Sequence, residues 1–260
     1  MANPLYGSNK FDELAAKVIG GVDSPDGGLF TFSDNPVVGD HGGVDTASCI
    51  HMYDDGLKLI VQNIGTQTAG TAAGPVATSA GMNYSYDGAD DEGIQWCLAD
   101  ANAKGYWNGP KIQKYKSGSA AFFASMTFTI TDVSDTDDCA FGFRKVEAFQ
   151  AAVDDYDEMA CLNVISGDIK SETIINNAST VTTDLTAPSS GDWADGAVHT
   201  LKVKVAADGA VTYELDGIAP TGAVAYSFDA GEVVTPFFYL KHAAASSAGV
   251  ILHSFEHGRQ

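Results

Sequence analysis

Arginine is nearly absent from this chain: its 260 residues contain two, Arg144 and Arg259, and only 14 basic residues stand against 34 acidic ones. A phosphate backbone is gripped by clustered Lys and Arg that displace counterions, so no nucleic-acid partner is expected. Cysteine is scarce as well. Cys49, Cys97, Cys139 and Cys161 are widely spaced, with no CxxC pair and no CxxH neighbour, which argues against zinc and predicts free thiols. Long apolar runs are missing too. The longest uncharged stretch, Leu59 to Tyr86, is mostly Gly, Thr, Ala, Asn and Gln and cannot supply a membrane span. The opening MANPLYGSNK has neither the apolar region nor the cleavage site of a secretory signal, so synthesis in the cytoplasm is expected.

What is present is alternation. In HTLKVKVAADGAVTYELDG, His199 to Gly217, Leu201, Val203 and Val205 share one face of a strand while Thr200, Lys202 and Lys204 share the other; Val211, Tyr213 and Leu215 repeat the pattern. The spacing predicts a hairpin turning at Asp208-Gly209, where Gly supplies the positive φ that a two-residue turn needs. Phe122, Ala124, Met126, Phe128 and Ile130 alternate with Phe123, Ser125, Thr127, Thr129 and Thr131, giving one apolar and one more polar face, and further strand-like runs follow in CAFGFRKV, EMACLNVI, VVTPFFYLKH and VILHSFEH. Many strands without βαβ alternation predict an all-β antiparallel sandwich or jelly roll.

One helix is predicted. Ser8 or Asn9 caps a stretch in which Phe11, Leu14, Ala15 and Val18 form a stripe, and Gly20-Gly21 ends it. A helix of about ten residues is marginal alone in water, so residues 1–28 read as an N-terminal arm whose Leu5, Tyr6, Phe11, Leu14 and Val18 bind a partner. Residues 29–260 form the sandwich domain, in which Gly65 to Gly81 read as a long exposed loop and Asp54-Asp55-Gly56 as a second hairpin turn.

Catalytic signatures are thin. Asp155 and Asp157 in DDYDE would share a face of an extended strand, but no cleft and no E-x-D-x-x-E spacing accompany them; HExxH and G-x-S-x-G are also missing. No enzyme and no cofactor are expected. Asp132, Asp135, Asp137 and Asp138 in DVSDTDD form a calcium candidate, because hard cations prefer clustered carboxylates, though an EF-hand's glycine and distal glutamate are lacking. A solvated acidic turn accounts for them more simply. Tyr106, Trp107 and Tyr115, interleaved with Lys104, Lys111, Lys114 and Lys116, are candidate glycan contacts, since aromatic faces stack on sugars; the alternative is a half-buried strand pair with lysines in solvent.

The ladder of strands, including HTLKVKVAADGAVTYELDG and the closing VVTPFFYLKH and VILHSFEHG, resembles the concanavalin A-like jelly roll. Residues 140–169, AFGFRKVEAFQAAVDDYDEMACLNVISGDI, and 191–205, GDWADGAVHTLKVKV, resemble virion structural proteins of tailed phages, and MANPLYGSNK is similar to the N-termini of that group. The resemblance implies a capsid decoration or cement protein on the outer surface of a bacteriophage head. Its partners would be the major capsid protein and copies of itself, with a trimer suited to threefold lattice positions. A net charge of −20 fits a domain facing away from packaged DNA. The alternative that the resemblance leaves open is a lectin-like glycan-binding or host-attachment module on head or tail.

Overall fold

The structure is a computed structural model that describes residues 28–31, 60–65, 76–78, 81–85, 90–99, 115–118, 120–185, 192–244 and 249–260. Fifteen strands run through the described residues: β1 (Gly28–Thr31), β2 (Ile60–Ile64), β3 (Val76–Thr78), β4 (Gly81–Ser85), β5 (Gly93–Cys97), β6 (Tyr115–Lys116), β7 (Phe122–Ile130) and β8 (Thr136–Lys145), then β9 (Met159–Ile165), β10 (Asp168–Ile174), β11 (Val181–Asp184), β12 (Val198–Val205), β13 (Val211–Leu215), β14 (Val233–His242) and β15 (Gly249–Arg259). They pair antiparallel in two sheets. One has seven strands in the order β13-β12-β7-β15-β4-β3, with β1 also on β15; the other has eight, β11-β10-β9-β8-β14-β5-β2, with β6 also on β14. The long strands β14 and β15 thus each carry two short strands.

The alternation read from sequence fixes the faces. Phe122, Ala124, Met126, Phe128 and Ile130 of β7 and Leu201, Val203 and Val205 of β12 join Phe141, Phe143, Leu162, Val164, Phe238 and Leu240 of the opposite sheet in one core. Trp96 stacks on Phe238 and meets Phe255 edge-on, at centroid distances of 5.8 and 5.1 Å. Removing a side chain of this size from water stabilises the fold by roughly 1.5–3 kcal/mol. The protein is therefore an all-β antiparallel sandwich, as its sequence predicts.

Two turns differ from expectation. Val205 pairs with Val211, so β12 and β13 are joined by five residues; Gly209 N–H donates to Ala206 O at 2.9 Å, and Gly209 alone carries positive φ, 94°. Ala207 and Asp208 are the turn's centre and Gly209 follows as a bulge. The two-residue turn belongs to the second Asp-Gly: Asp216 and Gly217 have φ of 51° and 78°, and Leu215 and Ile218 exchange both backbone hydrogen bonds. The expected loop Gly65 to Gly81 is interrupted by β3, which pairs with β4 from Thr78 opposite Gly81. Gly28, the last residue of the predicted arm, already belongs to β1 opposite His257; the rest of the arm and its helix, with Leu5, Tyr6, Phe11, Leu14 and Val18, lie outside the described residues, as does the turn at Asp54-Asp55-Gly56.

Candidate functional site

The outer face of the eight-stranded sheet carries the most organised polar side chains. Strand register aligns Asp184 (β11), Lys170 (β10), Asn163 (β9), Ala140 (β8), Tyr239 (β14), Gln95 (β5) and Gln62 (β2) in one row across the sheet. The row points outward because its chain neighbours Cys139, Phe141, Leu162, Val164, Phe238, Leu240, Ile94 and Trp96 point into the core. The next row holds Thr182, Glu172, Cys161, Gly142, Phe237 and Cys97.

A strap, residues 147–158, covers much of this face. Phe149, Val153 and Tyr156 pack on Cys97, Ala140, Met159, Cys161, Phe237 and Tyr239. Tyr239 Oη donates to Ala151 O at 2.6 Å, Gln95 Nε2 to Gln150 O at 2.7 Å, and Tyr156 Oη to Gln95 Oε1 at 2.5 Å. Beneath the strap the fully buried Arg144 guanidinium lies 4.5 Å from the Tyr156 ring centroid and donates to the carbonyls of Lys145 and Glu147.

Beyond the strap a band of hydrogen-bonded side chains runs across four strands. Asn163 Nδ2 donates to Asp138 Oδ1 at 2.7 Å and to Glu172 Oε2 at 2.8 Å, and Thr182 Oγ1 donates to Glu172 Oε1 at 2.9 Å. Asn163 Oδ1 accepts from the Cys139 amide at 2.9 Å, which holds the amide plane fixed. Burial pushes the Asp138 pKa up to about 6; the Asn163 bond and Lys241 pull it down, while Glu172 and Asp137 add to the rise. Two ammonium groups flank the band, and each is already paired twice. Lys170 meets Asp184 at 2.7 Å and Asp168 at 3.6 Å; Lys241 meets Asp137 at 2.5 Å and Asp91 at 3.1 Å.

The structure redistributes the residues singled out from sequence. Tyr115 is a correction: it is buried, stacked at 4.7 Å on Phe122, with Oη 2.7 Å from His257 Nδ1, so its ring cannot meet a glycan. Tyr106 and Trp107 lie outside the described residues. The four aspartates of the calcium candidate do not converge. Asp132 caps the 3-10 turn Val133–Asp135 by accepting from Ser134, Asp137 pairs with Lys241, and Asp138 faces Asn163. No group of three or more metal-ligating side chains occurs among the described residues.

The DDYDE segment is not the extended strand that would align Asp155 with Asp157, because Val153–Asp155 forms a 3-10 turn within the strap. Glu158 is buried with Oε2 unbonded among the described residues, and its pKa rises to about 7 through burial and the nearby Glu232. Asn163, Lys170, Glu172 and Lys241 gave no sequence signal. Each is an ordinary polar residue in an alternating strand, and only the register brings them together.

No protein-family profile matches the chain, and no curated protein matches it in sequence. Solved structures do resemble it in fold. A protein of unknown function from Shewanella oneidensis MR-1 is 10% identical, with 100% of this chain and 96% of that one covered at a TM-score of 0.50. Trypanosoma rangeli sialidase is 12% identical over 89% of this chain and 30% of its own, also at 0.50. The exoplasmic/lumenal domain of VIP36, in a Ca2+/Man3GlcNAc-bound form, is 11% identical over 79% and 84% at 0.49. These likenesses are of fold alone and agree with the all-β antiparallel sandwich described above.

Proposed function

We propose that this sandwich is a lectin-type module that binds glycan through the band Asp138–Asn163–Glu172–Thr182 and performs no chemistry on what it binds. The observation that carries the reading is the band itself. Four polar side chains from four strands are locked by mutual hydrogen bonds on an outer sheet face, and Asp138 keeps Oδ2 outside those bonds. Buried Asn163 and Glu172 hold the half-buried Asp138 carboxylate and the exposed Thr182 hydroxyl in place, and these two groups suit sugar hydroxyls, which both donate and accept. Hydrolysis is disfavoured because a glycosidase needs two carboxyl groups free to face the scissile bond, whereas Glu172 spends both oxygens on Asn163 and Thr182. The test is a glycan array with the full chain and with Asp138→Ala. Binding that the substitution abolishes while the circular dichroism spectrum is retained supports the reading; an array without signal overturns it.

A second reading, a decoration protein on a phage head, is what the sequence resemblance of residues 140–169 and 191–205 implies, and a charge of −20 suits it. In it residues 1–28 bind the major capsid protein, the sandwich faces outward, and copies associate as trimers. Immunogold labelling of particles separates head from tail, and loss of DNA at lower temperature from particles stripped of the protein supports the head assignment.

A further inference from the structure

Two tracts of this acidic chain carry no charged residue. Residues 173–183 hold none between Glu172 and Asp184, and residues 217–228 none between Asp216 and Asp229. The fold lays the two tracts side by side on one flank of the sandwich. Tyr226 Oη donates to Ile174 O at 2.8 Å, Asn176 Nδ2 donates to Asp229 Oδ2 at 3.2 Å, and Gly222 packs so close to Asp184 that an added Cβ would lie 2.9 Å from its carbonyl oxygen. Of the five large apolar side chains exposed among the described residues, four lie on these tracts: Ile175, Val181, Ile218 and Val224, each between 40% and 52% exposed. Ala223 and Ala225 are exposed beside Val224. The second tract is nevertheless fixed in place, because Leu215 and Ile218 exchange backbone hydrogen bonds at its start, while Val211 N–H donates to Tyr226 O and Phe228 N–H to Gly209 O at its end. A surface already held in one conformation loses little entropy when something docks on it, and exposed apolar side chains gathered on one flank mark an interaction site.

Charge decides what the partner is. A basic partner would be drawn to the acidic faces and not to a neutral flank. Two copies, each at −20, repel wherever carboxylates face each other, and within these tracts neither copy presents one. We infer that the flank formed by residues 175–183 and 217–227 is the contact between two copies of this chain, related by a two-fold axis. The same patch on both subunits closes the pair, and the two tracts supply about twenty exposed or half-exposed residues, the number that a standard interface takes from each side. Val181 and Val224 leave water in the pair. Asp184, Asp216 and Asp229, which bound the tracts, stay at the rim, where solvent and salt screen them.

The experiment is analytical ultracentrifugation of the full chain across a range of concentrations, at about 0.1 M and about 1 M NaCl, between which the Debye length falls from about 10 Å to about 3 Å. A monomer–dimer equilibrium is expected, tightening about tenfold at the higher salt as repulsion between the two acidic bodies is screened. Val181→Glu and Val224→Glu each place a carboxylate in the contact without touching the core. Each should weaken the dimer by about tenfold or more while the circular dichroism spectrum is retained. Gln62→Glu adds the same charge at an exposed position on β2, the opposite edge of the eight-stranded sheet, and should leave the dimer as it is. A protein that stays monomeric at about 1 mM, a dimer that both valine variants leave unchanged, or equal weakening by Gln62→Glu overturns the inference. So does a dimer that loosens as salt rises, which ion pairs would hold together, or a trimer, whose closed ring needs two different patches on each subunit.

Discussion

Tyr239 reaches out of β14 to donate its phenolic hydrogen to the carbonyl of Ala151 at 2.6 Å, across 88 residues of chain. This bond fastens the strap to the sheet at the border between its apolar underside and the polar band. The Tyr239 phenol pKa is pushed far up, chiefly by burial, so the group stays a donor throughout the working range. Tyr239→Phe removes the donor, keeps the ring and leaves Ala151 O unpaired. It should cost about 1–2 kcal/mol in urea unfolding and speed amide exchange in residues 147–158. Unchanged exchange there would show that apolar contacts alone hold the strap.

Asn163 has a different weight, because its amide bonds simultaneously to Asp138, Glu172 and the Cys139 amide. Asn163→Leu fills similar volume but leaves two carboxylates facing each other and a buried amide unbonded. The expected loss is about 3 kcal/mol or more. A loss below about 1 kcal/mol in chemical denaturation would mean that water replaces the amide easily and that the band is not rigid.

Stability against pH should be governed on its alkaline side by Glu158 and Asp138. Both pKa values are raised by folding, from 4.5 to about 7 and from 3.8 to about 6. Each therefore adds stability that is whole below about pH 4 and is lost as pH rises through 6 and 7. Glu158→Gln should stabilise the protein at pH 8 relative to wild type by about 1 kcal/mol, after allowance for screening, with the difference vanishing near pH 4.5. His257 works in the opposite sense, because burial lowers its pKa from 6.5 to about 4, so its contribution is present above 6.5 and lost as pH falls through 4. Melting temperatures of both proteins from pH 4 to pH 8 decide the matter; a constant difference between them would refute the role of Glu158.

The two Asp-Gly turns should respond unequally to alanine. At Gly217, φ is 78° and an added Cβ meets nothing within 4 Å, so Gly217→Ala should cost about 1 kcal/mol from backbone strain alone. At Gly209, φ is 94° and the Cβ would lie 2.4 Å from Phe228 O and 2.7 Å from Ser117 Oγ. Gly209→Ala should therefore cost about 3 kcal/mol. Equal melting temperatures of the two variants would contradict the packing of the segment around Phe228 against this turn.

The sequence by itself determined the long strands β7, β8, β9, β12, β13, β14 and β15, the inward faces of β7, β12 and β13, and the sandwich class, because a period of two is written in neighbouring residues: Leu201, Val203 and Val205 must share a face whatever they meet. It also marked both Asp-Gly turns, though which one is the tight turn depended on strand pairing and on the Phe228 segment that closes over Gly209. The band was decided only by tertiary structure. Asp138, Asn163, Glu172 and Thr182 sit on four strands with no motif linking them, and a one-residue slip in register would have turned each to the other face. Tyr115 makes the same point in reverse. Beside lysines in sequence it reads either as a glycan-stacking aromatic or as part of a half-buried strand pair, and pairing of β6 with the start of β14 decides for the second by carrying it into the core against Phe122 and Phe143, since a ring's burial is set by what packs over it and not by its neighbours in the chain.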